Sequence, residues 1–148
     1  MKAVKVVFFD IGDTLAVVNP SSPQRLELVP LPGASDALRS LAGVGLRLGI
    51  ISNTGSETVE TMRRALDGAG LYEFFEPQLL IYSSVVNLKK DSPEIFRLAC
   101  RQAGFGDAPQ RCLFVGESSA ERAFAVVAGL YVAESPAKAV TALTSEAA

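Results

Sequence analysis

Three nearly continuous apolar blocks, Val4–Phe9, Leu46–Ile51 and Cys112–Val115, are separated by segments of helical periodicity. An apolar run that does not alternate with polar residues suits a strand buried on both faces, the usual state of a parallel sheet covered by helices. Shorter runs at Gln78–Tyr82 and Leu130–Ala133 supply two more strands. Between the strands, Ala34–Gly43 carries Ala37, Leu38 and Leu41 on one face, and Ser56–Ala69 carries Val59, Met62 and Leu66 at helical spacing, with Arg63 and Arg64 on the wet side. Ser92–Ala103 opens with Ser-Pro-Glu, which reads as an N-cap followed by proline at the first helical position. Ser118–Ala128 opens with Ser-x-x-Glu, and Ser135-Pro136 starts a last short helix. Strands alternating with helices imply right-handed crossovers. The expectation is a single doubly wound α/β domain spanning 1–148, with roughly five parallel strands and helices on both faces. Asn19–Pro32 holds Pro20, Pro23, Pro30 and Pro32 and reads as a rigid, non-helical excursion over the carboxyl edge of the sheet.

Composition narrows the chemistry. A hydrophobic content of 49% with 20% charged residues is that of a globular core. No apolar stretch reaches the length of a membrane span, and the Lys2-Ala3-Val4-Lys5 start runs into a strand instead of a cleavage site, so a cytosolic location without membrane contact is expected. A net charge of −2 with no basic run leaves no dedicated nucleic-acid surface. The chain has no histidine, which excludes a Ser-His-Asp or Cys-His machine, a phosphohistidine intermediate and His-ligated zinc. Cys100, in a helical pattern, and Cys112, at a strand start, read as reduced core thiols. Chemistry must therefore run on carboxylates, hydroxyls, lysine and metal.

Such groups collect where a doubly wound sheet binds ligands, at the carboxyl ends of the strands. The first strand ends in Asp10, Gly12 and Asp13, and the second runs into Ser52-Asn53-Thr54-Gly55. Lys89 and Lys90 precede the Ser92 helix start, and Cys112–Val115 runs into Gly116-Glu117 with Glu121 four residues on. Plainer readings exist for several of them. Asp-x-Gly-Asp suits a strand-ending turn, Thr54 with Glu57 and Ser118 with Glu121 fit capping boxes, and the lysines fit solvated charge. Capping leaves Ser52 and Glu117 unexplained.

Taken in order, Phe-Asp10-Ile-Gly-Asp13-Thr14-Leu15, Ile-Ile-Ser52-Asn53-Thr54, Lys90-Asp-Ser-Pro93-Glu-Ile-Phe and Phe-Val-Gly116-Glu117-Ser resemble the haloacid dehalogenase (HAD) superfamily, from Val4 to Val132. The resemblance implies a Rossmann-like sheet, an aspartyl nucleophile on Asp10 and Mg²⁺ bridging that carboxylate and a phosphoryl group. It implies that Ser52 and the Asn53 N–H hold phosphoryl oxygens, that Lys90 neutralises charge, and that Glu117 and Glu121, with the Gly12 carbonyl, anchor the metal. This chain departs from the pattern twice. Gly12 stands where family phosphatases carry a second Asp as general acid/base, a loss worth about 10²–10⁴-fold in rate, and Asp13 can substitute only if the turn swings its side chain inward. Glu117 stands where Asp is usual, one methylene longer than an octahedral Mg²⁺ site prefers.

Only 42 positions separate Asp10 from Ser52 and 38 separate Ser52 from Lys90, so a capless member is expected. By that analogy an open site suits a bulky or macromolecular phosphoester, or a small one enclosed by a second subunit of a homo-oligomer. Two functions follow: a Mg²⁺-dependent phosphohydrolase acting through aspartyl phosphate on Asp10, or a HAD-fold binding or regulatory module with little turnover. A receiver-type phosphoacceptor shares the sheet, but the Ser52-Asn53-Thr54 and Lys90-x-x-Pro93 spacings fit the hydrolase better.

Overall fold

The computed structural model describes residues 3–21 and 25–147; Lys2 and Pro23 of the readings above lie outside them. At its centre is a five-stranded sheet formed by β1 (Val6–Phe9), β4 (Arg47–Ser52), β5 (Leu80–Tyr82), β6 (Cys112–Val115) and β7 (Tyr131–Ala133). The spatial order is β5-β4-β1-β6-β7, and every pairing is parallel. The strand carrying Asp10 is thus the central one, with β4 and β6 on either side. Their tips bring Ser52 and Gly116 to the same edge, because Phe9 lies in register with Ile50 and with Val115.

The unbroken apolar sequence of β1 has a direct cause. Successive side chains point to opposite faces, and both faces are buried. Val7 and Phe9 enter one core with Leu38 and Leu41 of α1 (Ala34–Gly43), Met62 and Leu66 of α2 (Val59–Gly68) and Ala139 and Leu143 of α6 (Pro136–Ala147). Val6 and Phe8 enter the other with Ile95, Phe96 and Cys100 of α4 (Glu94–Gln102) and Ala125 of α5 (Ser119–Val127). Gly49 interrupts the apolar run of β4 because a Cβ there would lie 2.5 Å from the Leu79 carbonyl oxygen. The two cysteines are free and buried, Cys100 on α4 and Cys112 at the start of β6, in the same core.

Several local expectations need correction. The proline-rich excursion is the return arm of a hairpin, in which β2 (Ala16–Val18), just before it, pairs antiparallel with β3 (Leu28–Pro30), with Val17 opposite Val29. Pro30 can sit there because it ends an edge strand whose ladder does not need its missing N–H. Helix α2 starts at Val59 and is capped by Thr58, whose side chain accepts the Thr61 N–H at 3.1 Å, so Thr54 is not its cap. Helix α4 starts at Glu94, after Pro93, and neither Ser92 nor any other side chain caps it. Helix α6 is not short, running for 12 residues with Ser135 accepting the Lys138 N–H at 3.2 Å. A single-turn helix after β5, α3 (Ser83–Val86), was not anticipated. Among the described residues no helix is long and apolar enough to cross a membrane, and no cap domain is present beyond the sheet, its helices and the hairpin.

Candidate active site

Asp10 leaves β1 at the centre of the carboxyl edge, with its backbone N–H still bonded to the Val115 carbonyl at 2.9 Å. The following turn closes tightly, since the N–H groups of Thr14, Leu15 and Ala16 all aim at the Ile11 carbonyl. That turn aims the Thr14 hydroxyl back at Asp10 Oδ2, 3.3 Å away. On the other side Lys90 Nζ donates to Asp10 Oδ1 at 2.5 Å. Both carboxylate oxygens are therefore held, and Asp10 is only 8% exposed.

Lys90 is itself 3% exposed, which for an ammonium demands compensation. It has two carboxylate partners. Besides Asp10, Glu121 Oε1 lies 2.9 Å from Nζ, as a charge contact without the alignment of a hydrogen bond. The ammonium also stands 5.6 Å from the centre of the Phe114 ring. Gly116 is needed beside this ring, because a Cβ there would come within 2.8 Å of it. Glu121 thus forms only half of a capping box. Its N–H is accepted by the Ser118 hydroxyl at 3.3 Å, as expected, but its carboxylate goes to Lys90 instead of back to the cap. Arg122 on the same helix donates to the Gly116 carbonyl at 2.7 Å and holds the loop between β6 and α5.

Ser52 is buried beside Asp10's strand, and its hydroxyl makes no hydrogen bond within the described residues, so it is available to a ligand. Asn53 is exposed, and its side-chain oxygen accepts the Lys90 backbone N–H at 3.0 Å. Ser83 and Ser84, which the sequence reading passed over, bond to Thr54. The only hint was a pair of hydroxyls directly after a strand end.

The structure brings Asp10, Lys90 and Glu121 into contact and ties Asn53, next to Ser52, to Lys90, but it leaves Asp13 and Glu117 in solvent. Asp13 is exposed, has a positive φ of 60° and borders a cleft of about 470 Å³ with the first residues of α1 and α6. Glu117 is exposed. Among the described residues no three acidic side chains gather as a metal cluster. The donor chemistry nevertheless fits a hard cation. Every candidate ligand is an oxygen, two carboxylates face one ammonium in a buried site, and Glu121 Oε1 is buried without a hydrogen bond.

A family model described as haloacid dehalogenase-like hydrolase matches residues 23–129. The chain belongs to this hydrolase family. Protein CbbY of Cereibacter sphaeroides is 31% identical over 110 residues, which is 74% of this chain and 46% of that protein. The chain thus spans about half the length of this curated relative. A solved HAD-superfamily hydrolase from Ehrlichia chaffeensis superimposes over 100% of both chains with a TM-score of 0.80 at 16% identity. L-2-haloacid dehalogenase from Xanthobacter autotrophicus superimposes over 87% of this chain and 76% of its own, with a TM-score of 0.69 at 18% identity. At such identities the likeness is one of fold, and it agrees with the five-stranded parallel sheet flanked by helices.

Proposed function

We propose that this HAD-like hydrolase is a phosphohydrolase that forms an aspartyl phosphate on Asp10. The observation that carries the reading is the placement of Asp10: a nearly buried carboxylate at the tip of the central strand, bonded to the Lys90 ammonium at 2.5 Å and adjacent to a free Ser52 hydroxyl on the next strand. A carboxylate attacks a phosphoryl dianion only if the negative charge is masked. Lys90 supplies a fixed positive charge there, Ser52 donates to a phosphoryl oxygen, and Thr14 orients the attacking carboxylate. Asp10 displaces the alcohol or phenol oxygen as the phosphorus–oxygen ester bond breaks. Water then hydrolyses the acyl phosphate, releasing inorganic phosphate and restoring the carboxylate, so one hard step becomes two easier ones.

Mg²⁺ would be held by Asp10 and Glu121, whose carboxylates meet in the buried site, with the Gly12 carbonyl and the exposed Glu117 as the further oxygens the resemblance implies, and when bound it would supply Lewis-acid masking of the phosphoryl charge. Our reading of the substrate is a phosphoester whose leaving group stays outside the open edge, bulky or macromolecular, or a small one closed off by a second copy of the chain. We place the protein in the cytosol.

Gly12 and the exposed Asp13 favour a second reading, a phosphate-binding module with little turnover, since neither supplies an acid/base beside Asp10. One experiment separates the two. Wild-type protein with Mg²⁺ should turn over a generic aryl phosphate, and Asp10→Asn should abolish turnover. The variant should remain folded, because Lys90 keeps Glu121 as its partner. Full activity in purified Asp10→Asn would reject the covalent mechanism. Phosphate binding with no turnover in the wild type would favour the module.

A further inference from the structure

Thr54 is buried, and its N–H and hydroxyl hydrogen are both engaged within the chain. Its N–H donates to Ser83 Oγ at 2.8 Å, and its hydroxyl oxygen accepts the Ser84 N–H at 3.2 Å. The Thr54 and Ser84 hydroxyl oxygens lie 2.7 Å apart. A serine has one hydroxyl hydrogen, and that of Ser84 is given to the Glu57 carbonyl at 2.6 Å, so the hydrogen shared with Thr54 must come from Thr54. Helix capping does not explain this circuit, because α2 takes its cap from Thr58.

The segment 83–90 grips the Asn53–Thr54 turn at both of its ends. At the first end are Ser83 and Ser84; at the other, the Lys90 N–H is held by Asn53 Oδ1 at 3.0 Å. The turn that presents Ser52 and the loop that presents Lys90 are in this way one hydrogen-bonded unit beside Asp10. We propose that Thr54, Ser83 and Ser84 are positioning residues. Their hydroxyl clamp fixes the Ser52 turn, and through Asn53 and Lys90 it fixes where the ammonium meets Asp10. The role rests on the phosphohydrolase reading. It matters because preorganised donors stabilise a transition state only where they are already aimed, and a misplacement of about 1 Å can cost about 10²-fold.

Thr54→Val keeps the shape of the side chain and removes its hydroxyl, whereas Thr54→Ser keeps the hydroxyl. On an aryl phosphate, Thr54→Val should lower kcat by about 10–10²-fold with KM changed by less than about threefold, and Thr54→Ser should recover most of the loss. Amide hydrogen exchange at Ser84 and Lys90 should quicken in Thr54→Val alone. Should Thr54→Val fail to fold, Ser84→Ala carries the same expectation. Wild-type kcat in a folded Thr54→Val or Ser84→Ala variant would overturn the positioning role while leaving the reaction intact. A wild-type protein that neither hydrolyses aryl phosphate nor binds inorganic phosphate would remove the phosphohydrolase reading, and the positioning role with it.

Discussion

Two glycines decide how closely groups can approach Asp10, and they do so for opposite reasons. Gly116 must lack a side chain: Gly116→Ala would drive a methyl into the Phe114 ring, whose face lies 5.6 Å below the Lys90 ammonium. The expected outcome is a loss of stability of about 1–3 kcal/mol from overpacking, read by denaturant unfolding, together with reduced turnover. Gly12 has no such need. It does not adopt a positive φ, and nothing lies within 4 Å of where its Cβ would be. Gly12→Asp should therefore fold with a stability change within about 0.5 kcal/mol. If the missing acid/base limits the rate, the same variant should raise turnover by about tenfold or more. No gain on any phosphoester tried, in a folded variant, would place the limitation elsewhere. The strained position of this turn is Asp13, not Gly12, and aspartate tolerates it better than most residues.

At the scale of the element, the start of α5 shows how one local motif serves two purposes. Ser118 accepts the Glu121 N–H, which fixes the first turn and leaves the Glu121 carboxylate free to reach Lys90. Ser118→Ala should cost about 1 kcal/mol, the usual worth of an N-cap, and lower the melting temperature by about 2–4 °C. Because Lys90 also bonds Asp10, turnover should fall less than in Asp10→Asn, and an unchanged melting temperature would show that the bond at 3.3 Å contributes nothing. The opposite case is Thr54-Gly55-Ser56-Glu57, which has the residues of a capping box and does not form one. The helix begins later, at Val59 after its cap Thr58, because Thr54 is drawn into bonds with α3, an element distant in sequence. The hairpin was hidden for a similar reason. Prolines forbid a helix, but pairing between β2 and β3 depends on where the two edges meet.

For the whole molecule, the site is an electrostatic junction between three parts of the chain: the tip of β1, the segment before α4 and the first turn of α5. Lys90 is one positive charge held between two carboxylates. Lys90→Met should leave both uncompensated and destabilise the fold by about 3–5 kcal/mol, whereas Asp10→Asn, which leaves the neutral Lys90–Glu121 pair, should cost far less. Equal stability of the two variants, measured by urea unfolding, would refute this account of the junction. The sequence alone determined the class of fold, because short apolar runs such as Val6–Phe9 alternating with amphipathic helical segments are satisfied by a parallel sheet covered on both faces. It also determined that polar groups would gather at strand ends, since Asp10, Ser52 and Glu117 each stand within two residues of the end of an apolar run. Only the tertiary structure decided which of them meet. Side-chain reach across neighbouring strands depends on register, helix start and rotamer, so Glu121 rather than Glu117 faces Lys90, Thr54 turns to Ser84 instead of to its own helix, and Asp13 stays in solvent. Local pattern fixes which elements form, because it acts over a few residues; long-range packing assigns the partners of each polar group, because those partners are brought together only when the sheet closes.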